Sequence, residues 1–332
     1  MDYAFDMRIY QWLAPCCLLI FSLHASHSLS NDKPLSIVYL NSYHPGYEWS
    51  DRCLNIFKKK LKTNANIHVF YMDTKINHSQ ANFKEVTQQA LAFIQDKQPH
   101  LIVAAEDNAS KLLIEPYFKN VQTPVVFMGV NVDASIYGYP YDNATGIVEM
   151  DGILNLVHAI RPMGLKKEVG MIFSKTVTGT KVMDFIKAQQ PKNFETRQVK
   201  NAQQWFEVMT EFNTSKDFIA LDTISAIQGL DHKMALNFIK QHIQIPIISA
   251  SSTSRHLAHV GYITSPEEQG IWTARTVDNI LSGKSINDIP LHISAQYSMY
   301  INQTLLNEMS LVLPKQLYKL PHRTLKQLDE KR

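Results

Sequence analysis

A chain of 332 residues exceeds one ordinary domain and suits two. With 45% hydrophobic and 19% charged residues its composition is globular, which excludes a disordered polymer. The net charge of +3 comes without the basic stripe that marks a nucleic-acid binder, so no nucleic-acid partner is expected.

Residues 13–23 read LAPCCLLIFSL, an apolar stretch of 11 residues. That is short for a membrane span and fits the core of a signal peptide. Ala25, Ser26 and Ser28 follow as small residues suited to cleavage, which makes residues 1–28 the expected leader. Asp2 and Asp6 place negative charge where such a leader carries positive charge; a start at Met7 removes both and leaves Arg8 ahead of the apolar run. A lipid anchor at Cys16 or Cys17, or an uncleaved membrane anchor, is the alternative. Cleavage leaves Cys53 as the lone cysteine, so no internal disulfide is expected. No later segment has the length of a membrane-spanning helix, and the expected location is the periplasm.

From residue 35 onward, short continuous apolar runs alternate with longer stretches at helical spacing. Ile37-Val38-Tyr39-Leu40 is the first run. Cys53, Leu54, Phe57 and Leu61 then form one helical stripe, with Lys58, Lys59, Lys60 and Lys62 on its solvated side. Further runs are Val69-Phe70-Tyr71, 101–105, 125–128, 169–173, 218–221 and 245–248. Runs apolar on both faces are what parallel strands show when helices cover each side of the sheet. Between them Phe83, Val86, Ala90 and Ile94 step by three or four, with Ser79 placed as an N-cap. Trp205, Val208, Met209 and Phe212 form another stripe, as do Met234, Leu236, Phe238 and Ile239. The strand–helix alternation predicts an α/β fold of two doubly wound parallel-sheet lobes. One block spans 35–145 and the other 169–251, separated by the loop-rich stretch 131–146.

Nearly every predicted strand ends in polar or small residues. The ends are Asn41-Ser42-Tyr43-His44, Glu106-Asp107-Asn108, Asn131-Val132-Asp133, Ser174-Lys175-Thr176, Asp222-Thr223 and Ser251-Ser252-Thr253. In an open parallel sheet all strand C-termini reach one edge, and ligands bind in the crevice beyond it. Half of these residues serve equally well as helix N-caps. Tyr43, His44, Tyr47 and Trp49 are harder to assign to capping and suit a wall against a flat or apolar ligand part. The ligand-contact candidates are Tyr43, His44, Trp49, Glu106, Asp107, Asn108, Asn131, Asp133, Ser174, Thr178, Asp222 and Ser252.

Catalytic patterns are missing from the sequence: it has no GxGxxG, no P-loop, no GxSxG and no HExxH. His256 and His259 lack the neighbouring ligands of a metal site, and His44 with Glu48 is the one conceivable acid–base pair. No catalysis, no metal and no cofactor are expected.

Several segments resemble the substrate-binding proteins of ABC transporters with the type I periplasmic binding fold, in the group related to tryptophan- and tyrosine-binding lipoproteins. Pro99-His100-Leu101-Ile102-Val103-Ala104 is similar to that family's "PDLIVA" strand, and Thr123-Pro124-Val125-Val126-Phe127 to its "IPIVF" strand. Asn143-Ala144-Thr145-Gly146-Ile147 is similar to its "NVTGV" crossing. Ile301-Asn302-Gln303-Thr304-Leu305-Leu306 and Leu311-Val312-Leu313-Pro314 resemble its C-terminal element. The stretch Asn41-Ser42-Tyr43-His44-Pro45-Gly46-Tyr47-Glu48-Trp49, together with Met72-Asp73-Thr74-Lys75, is closer to exported sensor domains of histidine kinases and diguanylate cyclases.

The resemblance implies two lobes with hinge crossings near residues 146, 260 and 291. Lobe 1 is then 35–146 plus 261–290, lobe 2 is 147–260 plus 291–320, and 321–332 is a tail. It implies that Asp222 matches the "PTD" loop, where an aspartate holds an amino group, and that Ser252 replaces the aspartate of an "ADTG" loop. Glu106-Asp107-Asn108 stands where a neutral loop would meet a carboxylate. These departures favour a ligand with an amine, amide or hydroxyls over an ordinary amino acid. The implied partners are a small polar ligand and a membrane ABC permease, or, for a stand-alone sensor, a kinase or cyclase ectodomain. The protein is expected to act as a monomer.

Overall fold

The computed structural model describes residues 34–77, 79–160, 168–189 and 194–325. The expected leader and the end of the tail lie outside these residues.

The first block runs β1 (Leu35–Asn41), α1 (Glu48–Lys60), β2 (Ala65–Tyr71), α2 (Gln80–Lys97) and β3 (Leu101–Ala105). Next come α3 (Glu106–Ala109), which continues as a π-helical stretch over Ser110–Phe118, then β4 (Val125–Asn131) and β5 (Ala144–Glu149). The second block runs α4 (Ile153–Ile160), β6 (Glu168–Ser174), α5 (Val177–Ala188), β7 (Phe194–Val199) and α6 (Ala202–Ser215). It continues through β8 (Lys216–Leu221), α7 (His232–His242), β9 (Ile247–Ser249) and β10 (Val260–Thr264). The chain ends with α8 (Pro266–Leu281), β11 (His292–Ile293), β12 (Tyr297–Ile301), α9 (Gln303–Glu308) and β13 (Arg323–Thr324).

Among the described residues these strands form two sheets, ordered β11-β5-β4-β3-β1-β2 and β13-β12-β10-β9-β8-β6-β7. Pairing is parallel throughout, apart from the antiparallel β10–β12 pair. Alternation along β1 shows why its run is apolar on both faces. Ile37 and Tyr39 join Cys53, Leu54 and Phe57 of α1 and Ala274 and Val277 of α8. Val38 and Leu40 instead join Val86, Ala90 and Ile94 of α2. In the second sheet, Ile219 and Leu221 pack under Trp205, Met209 and Phe212 of α6, while Met171 and Phe173 pack under α4 and α5. Cys53 is buried, and burial pushes its thiol pKa well up, as an inert core thiol requires.

Three crossings join the lobes. The chain leaves the first sheet after Glu149 and returns after Thr264, through Ser265, which caps α8 by accepting from the Glu268 N–H. It leaves again after Ile293. Asp278 of α8 accepts from the Lys62 and Thr63 N–H groups, which fastens the returning helix to the end of α1. β5 runs on past Gly146, and β10 begins at Val260. β7 departs from the apolar-run pattern because its residues are mostly half-buried at the sheet edge, where Glu195 and Arg197 reach solvent.

Phe57 is fully buried between β1 and α8. Phe57→Ala is expected to cost about 3–5 kcal/mol in urea unfolding, while Lys58→Ala on the exposed side changes stability by about 0.5 kcal/mol or less.

Candidate functional site

The C-terminal edges of both sheets meet at one cleft, where strand ends place polar residues side by side. At the end of β1, the Asn41 side chain accepts from the Tyr43 N–H at 3.0 Å and turns the chain toward α1. Ser42 donates to the Ala105 carbonyl and accepts from the Ala109 N–H, tying this turn to the end of β3. Thr74 donates to the Ser42 carbonyl through both its N–H and its hydroxyl, which carries the loop after β2 to the same place. The result is an aromatic corner. The Tyr43 and Tyr47 ring centroids lie 4.6 Å apart, and the Lys75 ammonium sits 4.7 Å from the Tyr43 centroid and 5.4 Å from that of Tyr47.

At the end of β3, Glu106 adopts φ +74°, a left-handed backbone that is uncommon for a residue other than glycine. Its side chain is 2% exposed, and one carboxylate oxygen accepts from the Trp49 indole N–H at 3.0 Å. Gly129 of β4 makes room for it. A Cβ at residue 129 would lie 2.6 Å from the Glu106 Oε1, and the residue's φ of +66° is itself one that glycine adopts freely.

Asp107 points the other way. It is fully buried and accepts from Tyr137 (3.1 Å) and Asn131 Nδ2 (2.8 Å) of its own lobe. It also accepts from Thr178 Oγ1 (3.0 Å) and Lys181 Nζ (2.9 Å) of α5 in the opposite lobe. A second bridge joins Arg255 to Glu48 at 2.8 Å. That bridge commits Glu48 elsewhere than to His44, whose Nδ1 lies 3.0 Å from the Pro45 carbonyl.

From the crossings and the second sheet come Glu149, Asp151, Asp222 and a hydroxyl row. Glu149 accepts from Thr264 Oγ1 at 2.8 Å, and Asp151 from the Ile153 N–H at 2.7 Å. Thr253 donates to Thr223 at 3.0 Å and shares a 2.8 Å contact with Ser251. Together with Tyr43, Tyr47, Trp49, Lys75 and Glu106 these groups line a cavity of about 70 Å³ between the lobes. Burial pushes all four carboxyls up. Glu149 rises to about 8, through burial and then Asp151 and Asp107. Asp151 rises to about 7, through burial and then Asp222. Glu106 rises well above the usual range through burial and the charges of Glu149 and Asp107, and Asp222 rises through burial. Burial works against the Lys75 ammonium, but Tyr47, Asp222 and Glu106 more than offset it and hold its pKa above the usual lysine range.

Of the residues singled out from the sequence, Tyr43, Trp49, Glu106, Asn131, Thr178, Asp222 and Ser252 line this cavity. Asn108 and Asp133 line a separate groove of about 800 Å³ on the far side of the Asp107 bridge, together with Tyr137 and Lys181. Asp107 forms the bridge itself. His44 is half-buried against Tyr47 and borders neither space, and Ser174 is buried at the end of β6, 3.4 Å from Thr176. Thr176 caps α5 by accepting from the Gly179 N–H. Sequence reasoning passed over Lys75, Glu149, Asp151 and Thr264. The acidic pair straddles the first crossing just beyond the Asn143–Ile147 motif, the one signal that pointed to it. His259 is a core residue. Its Nδ1 accepts from the Ile247 N–H, and burial lowers its pKa to about 4.

Two outcomes follow from this geometry. A carboxyl with a raised folded-state pKa keeps its proton after the unfolded chain has lost it, so stability falls as pH rises toward that pKa. Between pH 6.5 and 8.5, above the His259 transition, the melting temperature of the ligand-free protein is expected to fall by a few degrees. Glu149→Gln and Asp151→Asn should each flatten that slope. Lys181→Met leaves the buried Asp107 carboxylate without its counter-charge, a change that costs about 3–5 kcal/mol where it cannot be relieved. Parting the lobes relieves it, so small-angle scattering should show a larger radius of gyration, restored in Asp107→Asn/Lys181→Met.

A family model described as ABC transporter substrate binding protein matches residues 51–325. No curated protein gives a significant match to the chain. Among solved structures, an ABC domain from Streptococcus pneumonia in complex with L-Trp is similar, with a TM-score of 0.67 at 16% identity, covering 87% of this chain and 100% of that one. A conserved domain protein from Vibrio cholerae has a TM-score of 0.65 at 16% identity, covering 88% and 100%. A substrate binding protein with adhesive properties from Clostridium difficile, in its ligand-free, open structure, has a TM-score of 0.59 at 15% identity, covering 85% and 96%. At these identities the likeness is one of fold.

Proposed function

The chain belongs to the family of ABC transporter substrate-binding proteins, and on that premise we propose that it is an extracytoplasmic solute-binding protein. It takes a small polar, amine-bearing ligand between its lobes and presents the closed form to a membrane permease. The observation that carries this reading is the cavity between the lobes, whose walls come from the strand ends of both sheets: Tyr43, Trp49 and Glu106 on one side, Asp222, Thr223 and Ser252 on the other. Fold relatives are described both with L-Trp bound and as ligand-free and open, which supports closure by hinge motion. In this reading Asp222 takes an amino group and Tyr43 and Trp49 supply apolar walls. His44 Nδ1 lies against the Pro45 carbonyl, and Glu48 pairs with Arg255. Among the described residues no helix is long and apolar enough to cross a membrane.

A second reading, a sensor that signals through a membrane kinase or cyclase, is favoured by one observation. The two segments that resemble sensor domains, residues 41–49 and 72–75, supply Tyr43, Tyr47, Trp49 and Lys75 to the cavity. Neighbouring genes separate the two: permease and ATPase genes support transport, a histidine kinase gene supports sensing.

Thermal unfolding against amino acids, amines, nucleosides, sugars and short peptides tests the binding function. Ligand at about a thousand times its dissociation constant adds about 4 kcal/mol. One class is expected to raise the melting temperature by several degrees, and Asp222→Ala to abolish the rise. No shift with any class contradicts the reading.

A further inference from the structure

The charges in the cavity do not balance. Four carboxyls line it, Glu106, Glu149, Asp151 and Asp222, against one basic side chain, Lys75. Asp107 is not among them, because Lys181 already answers it. The Lys75 ammonium is itself engaged over the faces of Tyr43 and Tyr47, so no lining cation is left to hold a ligand carboxylate. A zwitterion would add no net positive charge and would bring a further anion against four acids.

Three observations show what the space accepts. The corner already seats an ammonium, that of Lys75, with aromatic faces on one side and carboxyls on the other. Glu106, 2% exposed, spends one oxygen on Trp49, while its Oε2 has no hydrogen-bond donor among the described residues. The volume of about 70 Å³ has room for roughly five to seven water-sized groups. Among the described residues no three His, Cys, Asp or Glu side chains converge as metal ligands do.

We propose that the ligand is a compact dication, two amino groups on a short aliphatic spine with no carboxylate. This rests on the solute-binding reading of the cavity. One ammonium meets Glu106 and Glu149 from the first lobe, the other meets Asp222 and Asp151, and the spine lies against Trp49 and Tyr43. Each end then makes charge-assisted hydrogen bonds that no other described cation supplies.

Isothermal titration calorimetry on the purified protein tests this with five probes: 1,4-diaminobutane, 1-aminobutane, 4-aminobutanoate, L-tryptophan and calcium. The diamine is expected to bind, and removing one amine or converting it to a carboxylate to weaken binding by about a hundredfold. Glu106→Gln and Asp222→Asn should each weaken the diamine; they sit on opposite lobes, so misfolding of one leaves the other as the test. If 4-aminobutanoate, L-tryptophan or calcium binds as well as the diamine or better, and Asp222→Asn weakens it, the dication is overturned while the solute-binding function stands. If the diamine fails to bind but another class raises the melting temperature, the same holds. If nothing binds by either method, both fall.

Discussion

One buried carboxylate receives donors from both halves of the molecule. Asp107 accepts from Asn131 and Tyr137 beneath it and from Thr178 and Lys181 across the cleft. A charge at zero exposure is tolerated only when its hydrogen bonds are complete, and those of Thr178 and Lys181 come from the opposite lobe. The apposed state of the lobes therefore satisfies Asp107, and parting them returns it to water. This bridge also separates the small cavity from the larger groove, because Thr178 borders the first and Lys181 the second. The rest of the site is arranged around it.

The neighbouring residue shows the opposite condition. Glu106 turns away from Asp107 into the cavity, held there by a left-handed backbone and by the space that Gly129 leaves. Four carboxyls, Glu106, Glu149, Asp151 and Asp222, face a single lining cation, Lys75. Closing the lobes without a ligand thus concentrates acids whose ionisation burial disfavours, while closing around a cation favours it. The Asp107 bridge favours closure in either case, and the acids make closure depend on what lies inside. With these two terms opposed, a ligand that prefers the closed state shifts the population toward it.

Much of this architecture was legible because parallel strands covered on both faces carry continuous apolar runs, as β1, β3, β4 and β6 do. β5, β10 and β12 were not read as strands because Gly, Thr, Ser and Tyr interrupt their apolar character near the crossings. β7 was missed because an edge strand can afford Glu195 and Arg197. For the site, polar bursts after strands led to Glu106, Asn131 and Asp222, since the sheet edge dictates where those positions go. They led equally to Ser174, which ends buried beneath its own turn, and to His44, which packs on Tyr47. Lys75 was illegible as a lining residue because its place depends on a tertiary tie, Thr74 to the Ser42 carbonyl. Glu149 and Asp151 follow a strand that the sequence did not announce.

The central claim is that the cavity forms and empties by relative motion of the lobes. The direct measurement is the distance between spin labels on the exposed Lys59 and Lys233, one on each lobe, in the protein stripped of ligand by unfolding and refolding and then titrated with 1,4-diaminobutane. The account predicts a broad distribution reaching longer distances without ligand, which narrows to the short distance as the diamine is added. A single short distance that is the same with and without every ligand tried would contradict it.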